Sequence, residues 1–387
     1  MLAGIRYRSY SYNEIAFFFL LFLFNLSVMS SAAWEPLRLL KYGMPFIAIC
    51  LFVVLKRYLI FDRTSISNAA WLHYLGGLLL FYVIAFSFNA LIAFRSPRFY
   101  QEVFFALSPL AFVVLVLAIK PAANVVMVTH VLFAGVVLAF IIETNTQLLD
   151  ALLHPSQIIT GLASSEVESE SNLAFQFGMI LIVYTHYRKW LYSIIAAGLL
   201  LLAFKRIAII GVIVVGLLYV TKRITKGKLN PAENRWLVIG GNITAITSLF
   251  LFLLGKFDDL VMDVFGVSPN FLTVGRYDVY SDIFRHFGGV KFWGFGLGAI
   301  TTFLSGANYQ LINLHSDVLK IFFELGPLFF IIWIFLFHNW KKNMLTACLA
   351  IYMNILFLTD NVFIYFDVLV CYYLLSAYSS GPVKAVV

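Results

Sequence analysis

Long apolar runs alternate with short polar stretches along most of the chain, and the runs approach membrane-spanning length. A transmembrane helix needs about 20 mostly apolar residues. Runs of this kind lie at 15–34, 38–55, 69–94, 99–119, 122–143, 171–187, 190–204, 206–221, 236–255, 315–337, 343–359 and 361–378. The pattern predicts an all-α, polytopic integral membrane helix bundle with about 12 transmembrane helices, forming a single transmembrane domain over residues 1–387.

Composition places the chain firmly among membrane proteins. Hydrophobic residues make up 62% of it and charged residues 12%, and the mean hydropathy is +0.91. A soluble domain carries about twice that share of charge, so there is no room for a large soluble domain. The three cysteines, Cys50, Cys348 and Cys371, lie inside apolar runs, where small buried packing residues are expected. Their spacing indicates neither a disulfide framework nor a metal site.

The distribution of charge predicts an orientation in the membrane. If the N-terminus is cytoplasmic and the spans alternate, the cytoplasmic side receives 16 of the 27 basic residues but only Glu14, Asp62 and Glu233 of the 19 acidic ones. Basic residues collect on cytoplasmic loops of membrane proteins. Both termini are therefore expected in the cytoplasm, and the net charge of +8 does not indicate nucleic-acid binding.

The first apolar run has two interpretations. Arg6 and Arg8, the run itself and then Ser31-Ala32-Ala33 resemble a secretory signal. The stretch from Ile15 to Trp34 is also about long enough to span. We interpret it as a retained first helix.

Two larger loops are expected on the outer face, at 144–170 and 256–314. The first contains Glu166, Glu168 and Glu170 in alternation. The second is expected to form an amphipathic helix near 276–289, which could lie at the membrane interface. Its apolar side would carry Tyr277, Tyr280, Ile283, Phe284 and Phe287. Gly294, Gly296 and Gly298 follow and predict a tight turn beneath the site, because no βαβ unit surrounds them.

Several basic residues of the outer side are candidates for binding an anion. Lys205 and Arg206 begin the eighth run on the side where the positive-inside rule does not explain them. An arginine there can hold a phosphate through its planar fork of donors, although interfacial snorkelling is the alternative. Arg276 begins the amphipathic helix, and a helix N-terminus favours an anion. Arg285 and Lys291 are weaker candidates that could pair with Asp278 or Asp282 instead.

His315 is the candidate general base. It lies at the start of the tenth run, and histidine can accept a proton near neutral pH. Asp317 could orient it, although helical residues two apart do not face each other well. Glu324 lies within the same run and is either a helix-packing partner or a member of the site, with Gly326-Pro327 predicting a local kink after it. His286 is a weaker candidate base.

These residues resemble the motifs of bacterial O-antigen polymerases and O-antigen ligases. In that family the pattern runs G-R, then G-x-G, then H-N/S-x-x-L, then E-x-G. The corresponding stretches here are Gly275-Arg276, Trp293-Gly294-Phe295-Gly296-Leu297-Gly298, His315-Ser316-Asp317 and Phe323-Glu324-Leu325-Gly326. Lys205-Arg206 takes the place of an S-R motif, and Glu170-Ser171-Asn172 is similar to an Asn-containing segment. The likeness covers about residues 160–330, while the first 150 residues offer only hydropathy.

The resemblance implies a GT-C-like membrane glycosyltransferase that needs no metal and no cofactor. Its donor and acceptor would be oligosaccharides linked to undecaprenyl pyrophosphate, and its partners would be the lipid bilayer and a chain-length regulator protein. Carried over by position, Arg206 and Arg276 would hold the pyrophosphate, with Lys205 and Arg285 as further contacts. His315 would activate the acceptor hydroxyl, with Asp317 as its catalytic partner. Glu170, Asn172 and Glu324 are further candidates.

Some features depart from the family or leave alternatives open. Lys205 stands where the family has serine, which adds a charge, and the loop between Gly275 and His315 is compact.

We favour a polymerase of repeat units in the bacterial cytoplasmic membrane. A ligase that transfers glycan to lipid A–core is the nearest alternative. A flippase or transporter of lipid-linked glycans would need charges along a central cavity, and the halves of the chain show no internal repeat of the kind common in transporters. A structural scaffold is the third alternative.

Overall fold

The computed structural model describes residues 12–34, 37, 40–55, 66–92, 96, 98–119, 124–153, 171–226, 235–272, 276–306, 314–338 and 343–379. Within these residues every regular element is helical. The first eight helices are α1 Tyr12–Ala33, α2 Leu40–Leu55, α3 Ile66–Ile92, α4 Phe99–Ile119, α5 Val125–Leu153, α6 Ala174–His186, α7 Trp190–Leu202 and α8 Arg206–Ile224. The next eight are α9 Arg235–Leu253, α10 Asp258–Phe265, α11 Pro269–Leu272, α12 Arg276–His286, α13 Ala299–Gly306, α14 Asp317–Phe337, α15 Met344–Thr359 and α16 Phe366–Ser379. A short 3-10 turn, Val362–Ile364, joins the last two helices.

Each of the twelve apolar runs coincides with one of these helices, so the predicted all-helical, multi-pass architecture is confirmed. Six helices are long and apolar enough to cross a bilayer: these are α1, α3, α4, α5, α8 and α14. The other six apolar helices, α2, α6, α7, α9, α15 and α16, are shorter than 18 residues within their apolar part. Large apolar side chains such as Leu91, Ile194 and Leu217 are exposed on the outside of the bundle, as expected of a surface that meets lipid.

Hydrogen bonds join the helix ends in two separate sets, which shows that consecutive apolar helices run in opposite directions. At one end, Asn13 Nδ2 donates to the Ile119 carbonyl over 2.6 Å, and Asn343 Nδ2 donates to the Ser379 carbonyl over 2.7 Å. At the other end, the Ser171 backbone N–H donates to the Ala203 carbonyl over 3.2 Å. We call this second end, where the chain enters α8 and leaves α15, the polar end.

The last helix, α16, lies at the centre of the bundle. Nearly all its residues are buried, and it is apolar on most sides, which is the pattern of a helix enclosed by others. It packs against α4, α5, α6 and α15. Around it, α1 packs along α5, and Phe17, Leu20 and Phe24 of α1 are buried. The first helix is thus an integral part of the bundle.

The two expected loops have more helix than the sequence predicts. In the first, α5 continues to Leu153, past the expected loop start at Thr144. The remainder of that loop, including Glu166, Glu168 and Glu170, lies outside the described residues. The second loop folds into the short helices α10 to α13.

The amphipathic helix predicted near 276–289 is present as α12, and its apolar face packs on protein. Val279 and Ile283 are buried in a small core with Phe295, Ile300 and Phe323. Aromatic rings of α9, α13 and α14 cover the apolar face of α12, which the sequence predicted could lie at the membrane interface. Packing against these rings removes that apolar surface from water, as burial in lipid would.

Helix α14 is broken at Gly326, as the Gly-Pro pair predicts. Gly326 has a φ of +86° and a ψ of 165°. The glycine turn packs into this break: the backbone N–H groups of Phe295 and Gly296 donate to the carbonyls of Phe323 and Glu324 over 3.0 and 3.1 Å. A Cβ on Gly294 would lie 2.2 Å from the Glu324 carbonyl oxygen. Glycine is needed here for close backbone approach.

Candidate functional site

Three ionisable side chains from distant parts of the chain meet at the polar end. Asp360 follows the last residue of α15, Lys205 precedes α8, and His315 precedes α14. Asp360 Oδ2 lies 3.3 Å from Lys205 Nζ, and Asp360 Oδ1 lies 3.6 Å from His315 Nδ1. The side chain of Asp360 is 5% exposed, that of Lys205 14% and that of His315 29%. We call this group the His315 cluster; its histidine is the member most open to solvent.

Asp360 is held as a carboxylate between His315 and the charged Lys205. Burial raises the pKa of the Asp360 carboxyl, but the interactions with His315 and with charged Lys205 outweigh burial, so the pKa lies below its ordinary value. The Asn361 backbone N–H donates to Asp360 Oδ1 over 2.7 Å and fixes the side chain. A carboxylate facing Nδ1 favours the tautomer that carries the proton there, which leaves Nε2 free to accept one.

Asp317 does not take the role that the sequence suggested for it. Its side chain is fully buried, and its Oδ2 accepts from the Phe363 backbone N–H over 2.9 Å. Its own backbone N–H donates to the Asp360 carbonyl over 3.2 Å. Asp317 therefore fastens the turn after Asp360 to the start of α14. The carboxylate facing His315 is that of Asp360, because Asp317 is engaged with the backbone of the turn that follows Asp360.

Helix α12 holds the backbone of the His315 cluster through Tyr280. The Tyr280 hydroxyl donates to the His315 carbonyl over 3.2 Å. Burial raises the pKa of Tyr280 to about 12; the charge of Arg276 opposes this shift and that of Asp360 adds to it. Tyr280 is thus within electrostatic reach of both Arg276 and Asp360. Arg276 is the first residue of α12 and half-buried, whereas Gly275 lies outside the described residues.

The remaining basic candidates are placed less centrally. Arg206 begins α8 beside Lys205, and its side chain is exposed. Arg285 lies on the far turn of α12 and forms an exposed ion pair with Asp282, 3.4 Å between Nη1 and Oδ1. This is the alternative pairing anticipated from the sequence. Lys291 Nζ lies 4.9 Å from the centre of the Phe295 ring.

Glu324 belongs to the architecture of α14. Its side chain is buried, and Oε1 accepts from the Ile300 backbone N–H over 3.2 Å. Its carbonyl also accepts from Asn89 Nδ2 over 3.1 Å. One turn earlier, Lys320 Nζ lies 2.5 Å from Glu102 Oε2, with both side chains buried. Of the two roles open to Glu324, the contacts match the packing role.

The two candidates from the Asn-containing segment fall in different places. Glu170 lies outside the described residues. Asn172 precedes α6 and lines a polar cavity at the same end of the bundle.

Asp360 is the residue that sequence analysis missed. It lies between two apolar runs, in the pair Asp360-Asn361. A signal was present, because an ionisable residue at the boundary of a span is costly unless it has a partner or a function. Its partners are separated from it by 45 and 155 positions, so no local spacing indicates them.

The fold defines the class of this chain as a helical, multi-pass membrane protein. No protein-family model matches the sequence, and none of the curated proteins is significantly similar to it. Its particular activity therefore has to be argued from the site.

Proposed function

We propose that the protein is a membrane glycosyltransferase that joins oligosaccharide repeat units carried on undecaprenyl pyrophosphate into O-antigen, capsule or exopolysaccharide. The observation that carries this proposal is the His315 cluster. An accessible histidine faces a buried carboxylate, and a lysine lies on the other side of that carboxylate, at the polar end of the bundle. A base beside cations is the arrangement that glycosyl transfer from a pyrophosphate requires.

In the proposed reaction His315 Nε2 takes the proton of an acceptor sugar hydroxyl. The oxygen attacks the anomeric carbon of the donor sugar, and the bond from that carbon to the pyrophosphate oxygen breaks. The lipid pyrophosphate leaves with the electron pair, and Lys205, Arg206 and Arg276 stabilise its charge. In-line attack inverts the anomeric configuration. Asp360 stabilises the imidazolium that forms.

The proposed orientation is the one predicted from the whole sequence, in which 16 of the 27 basic residues fall on the cytoplasmic side. The end with Arg188, Lys189, Lys222, Arg223 and Lys226 is that side. The polar end then faces outward from the bacterial cytoplasmic membrane, with about twelve spans and both termini inside. An apolar bundle surface gives a long lipid tail access from the bilayer.

Two alternatives differ from the polymerase in what they need from the structure. A flippase needs charges distributed through the bundle. The buried charged side chains of the described residues all lie toward the polar end, namely Glu102, Asp317, Lys320, Glu324, Asp360 and Asp367. A ligase needs the same chemistry with lipid A–core as the acceptor. The polymerase is favoured over the ligase because His315-Ser316-Asp317, with the compact loop between Gly275 and His315, looks more like the polymerases.

The test is complementation of a deletion strain, read as surface polysaccharide on a gel. We expect wild type to restore a ladder, and His315→Ala and Arg276→Ala to leave only single-repeat bands at equal membrane expression. Arg223→Ala, an exposed basic residue at the opposite end, is the matched control and should restore the ladder.

Each other outcome selects an alternative. A deletion strain with no glycan at the surface indicates a flippase. Polymer that accumulates on the lipid carrier without reaching lipid A–core indicates a ligase. A normal ladder from both His315→Ala and Arg276→Ala means that the His315 cluster does no chemistry.

A further inference from the structure

A polar cavity of about 300 Å³ lies at the polar end, where α1, α2 and α4 meet the segment that leads into α16. Its charged lining residues are Lys41, Arg98, Glu102, Glu143 and Asp367. The amides of Gln101 and Asn172 also line it, and Val28 and Phe105 supply apolar wall. Sequence analysis singled out only Asn172 among these residues, and the chemistry proposed above uses none of them.

The cavity is built from side chains that hold each other in place. Lys41 Nζ lies 3.0 Å from Asp367 Oδ1, and Gln176 Nε2 donates to Asp367 Oδ2 over 2.6 Å. The Ser171 hydroxyl donates to Glu143 Oε2 over 2.5 Å. Fixed donors and acceptors lose little conformational freedom when a ligand binds.

Charges of both signs line the cavity. Among the described residues these are the cations Lys41 and Arg98 and the carboxylates Glu102, Glu143 and Asp367. Glu102 is also bound to Lys320, outside the lining. A ligand with a large net charge would leave one of these charges unpaired in a partly buried place, which is costly. A neutral ligand whose groups both donate and accept hydrogen bonds fits such a lining, and sugar hydroxyls do both.

Tyr365 connects this cavity to the His315 cluster. Its side chain lines the cavity, and its ring centre lies 6.0 Å from that of Phe175. Lys205 Nζ in turn lies 5.6 Å from the centre of the Phe175 ring. Burial raises the pKa of Tyr365, and Asp360 and Asp367 raise it further, so its hydroxyl is within electrostatic reach of both sites.

We infer that this cavity binds a neutral sugar ring of the acceptor glycan and thereby selects which acceptor reaches His315. The acceptor role rests on the proposed function. The predicted ligand class, a neutral sugar ring, rests on a lining with charges of both signs and on its fixed donors and acceptors. Loss of one hydrogen bond between a sugar hydroxyl and a carboxylate should weaken binding about tenfold or more.

The test is saturation-transfer NMR on the full-length protein purified in detergent. The probes are neutral hexoses, 6-deoxyhexoses and N-acetylhexosamines, with inorganic pyrophosphate as the anionic probe. We expect at least one neutral sugar to bind wild type, and Glu143→Gln and Asn172→Ala to weaken it about tenfold or more. Asp259→Asn, an exposed carboxylate of α10, is the control. Glu143 is itself solvent-accessible, so its substitution should leave folding intact.

The outcomes separate the inference from the proposed function. The inference is overturned if no neutral sugar binds wild type, if pyrophosphate displaces the bound sugar, or if Glu143→Gln binds it as wild type does. If any of these results is accompanied by a restored polysaccharide ladder, only the sugar-binding inference is overturned and the proposed polymerase function is retained. If the protein binds sugar through Glu143 and Asn172 but restores no ladder, the inferred ligand of the cavity stands and the proposed polymerase function is refuted.

Discussion

Two groups of charged side chains lie at the polar end of this bundle, and they differ in what surrounds them. In the His315 cluster, Lys205 and His315 share Asp360, and the histidine keeps nearly a third of its side chain exposed. In the second group, Lys320 pairs with Glu102 beside Glu324, and all three side chains are buried. We call this second group the buried ionic group.

The contrast teaches how the same residue types serve two purposes. The buried ionic group is tied to α13: Glu324 accepts from the Ile300 backbone N–H, and the Thr301 hydroxyl donates to Glu102 over 3.4 Å. Its charges hold the glycine turn against the broken helix. The His315 cluster leaves one ring nitrogen of histidine open to a substrate. We therefore expect changes in the His315 cluster to abolish activity, and changes in the buried ionic group to abolish folding.

Asp360→Asn should have the largest effect on activity, and the loss of activity should far exceed any loss of folded protein. An amide at Asp360 no longer favours the tautomer of His315 that can accept a proton, and a comparable substitution in a serine protease triad lowers the rate by about 10⁴. The measurement is polymer formation from lipid-linked repeat units by purified protein. A normal rate, or a loss of activity that merely follows a loss of folded protein, would contradict this role.

Lys320→Met should act on folding instead. It leaves Glu102 and Glu324 buried without their cation, and breaking a buried pair typically costs about 3–5 kcal/mol. Thermal unfolding in detergent and the yield of membrane-inserted protein measure this. The double variant Lys320→Met/Glu102→Gln removes both charges and should recover part of the loss. A stable single variant would show that the buried ionic group is not structural.

Gly326→Ala tests the backbone contact beside the buried ionic group. Its φ is +86°, and a Cβ would lie 2.3 Å from the Phe292 carbonyl oxygen. Strained backbone of this kind costs about 1–3 kcal/mol, before the clash is relieved. Thermal unfolding should show the loss. Gly216→Ala in α8, where no atom lies within 4 Å of the added Cβ, is the matched control and should be neutral or slightly stabilising.

The smallest effect concerns pH. The pKa of Asp360 is lowered in the folded protein, because His315 and Lys205 outweigh burial. Its stabilising contribution is complete above the ordinary carboxyl pKa of about 3.9 and disappears as the pH falls through the lower folded-state value. Wild type should therefore lose more stability between pH 6 and pH 2.5 than Asp360→Asn does, in thermal unfolding. Identical profiles would show that Asp360 is not held as a carboxylate.

Much of the fold could be predicted from the sequence. Apolar runs indicate helices directly, since a run of that length has few other stable forms in lipid. Gly326-Pro327 indicates the break in α14, because glycine tolerates a non-helical backbone and the proline after it lacks the N–H that would continue the helix. His315 and Lys205 were also found, since each is an ionisable residue at the edge of an apolar run on the less basic side.

The arrangement of the polar end could not be predicted in the same way. Asp317 is two residues from His315 in sequence but points elsewhere, whereas Asp360 reaches it only after α14 and α15 have packed together. The cavity residues Lys41, Glu143 and Asp367 lie on different helices, so no spacing relates them. Helix α12 carries a clear apolar face, but the pattern does not say whether lipid or aromatic side chains cover it.

The position of α16 has a consequence for how the protein is made. This helix follows every other described helix in the chain, yet it occupies the centre of the bundle. During synthesis the earlier helices enter the membrane before their common partner exists. Asp360, just ahead of α16, also leaves the ribosome after Lys205 and His315. The His315 cluster is therefore incomplete until the central helix arrives, so the bundle and the cluster are completed together.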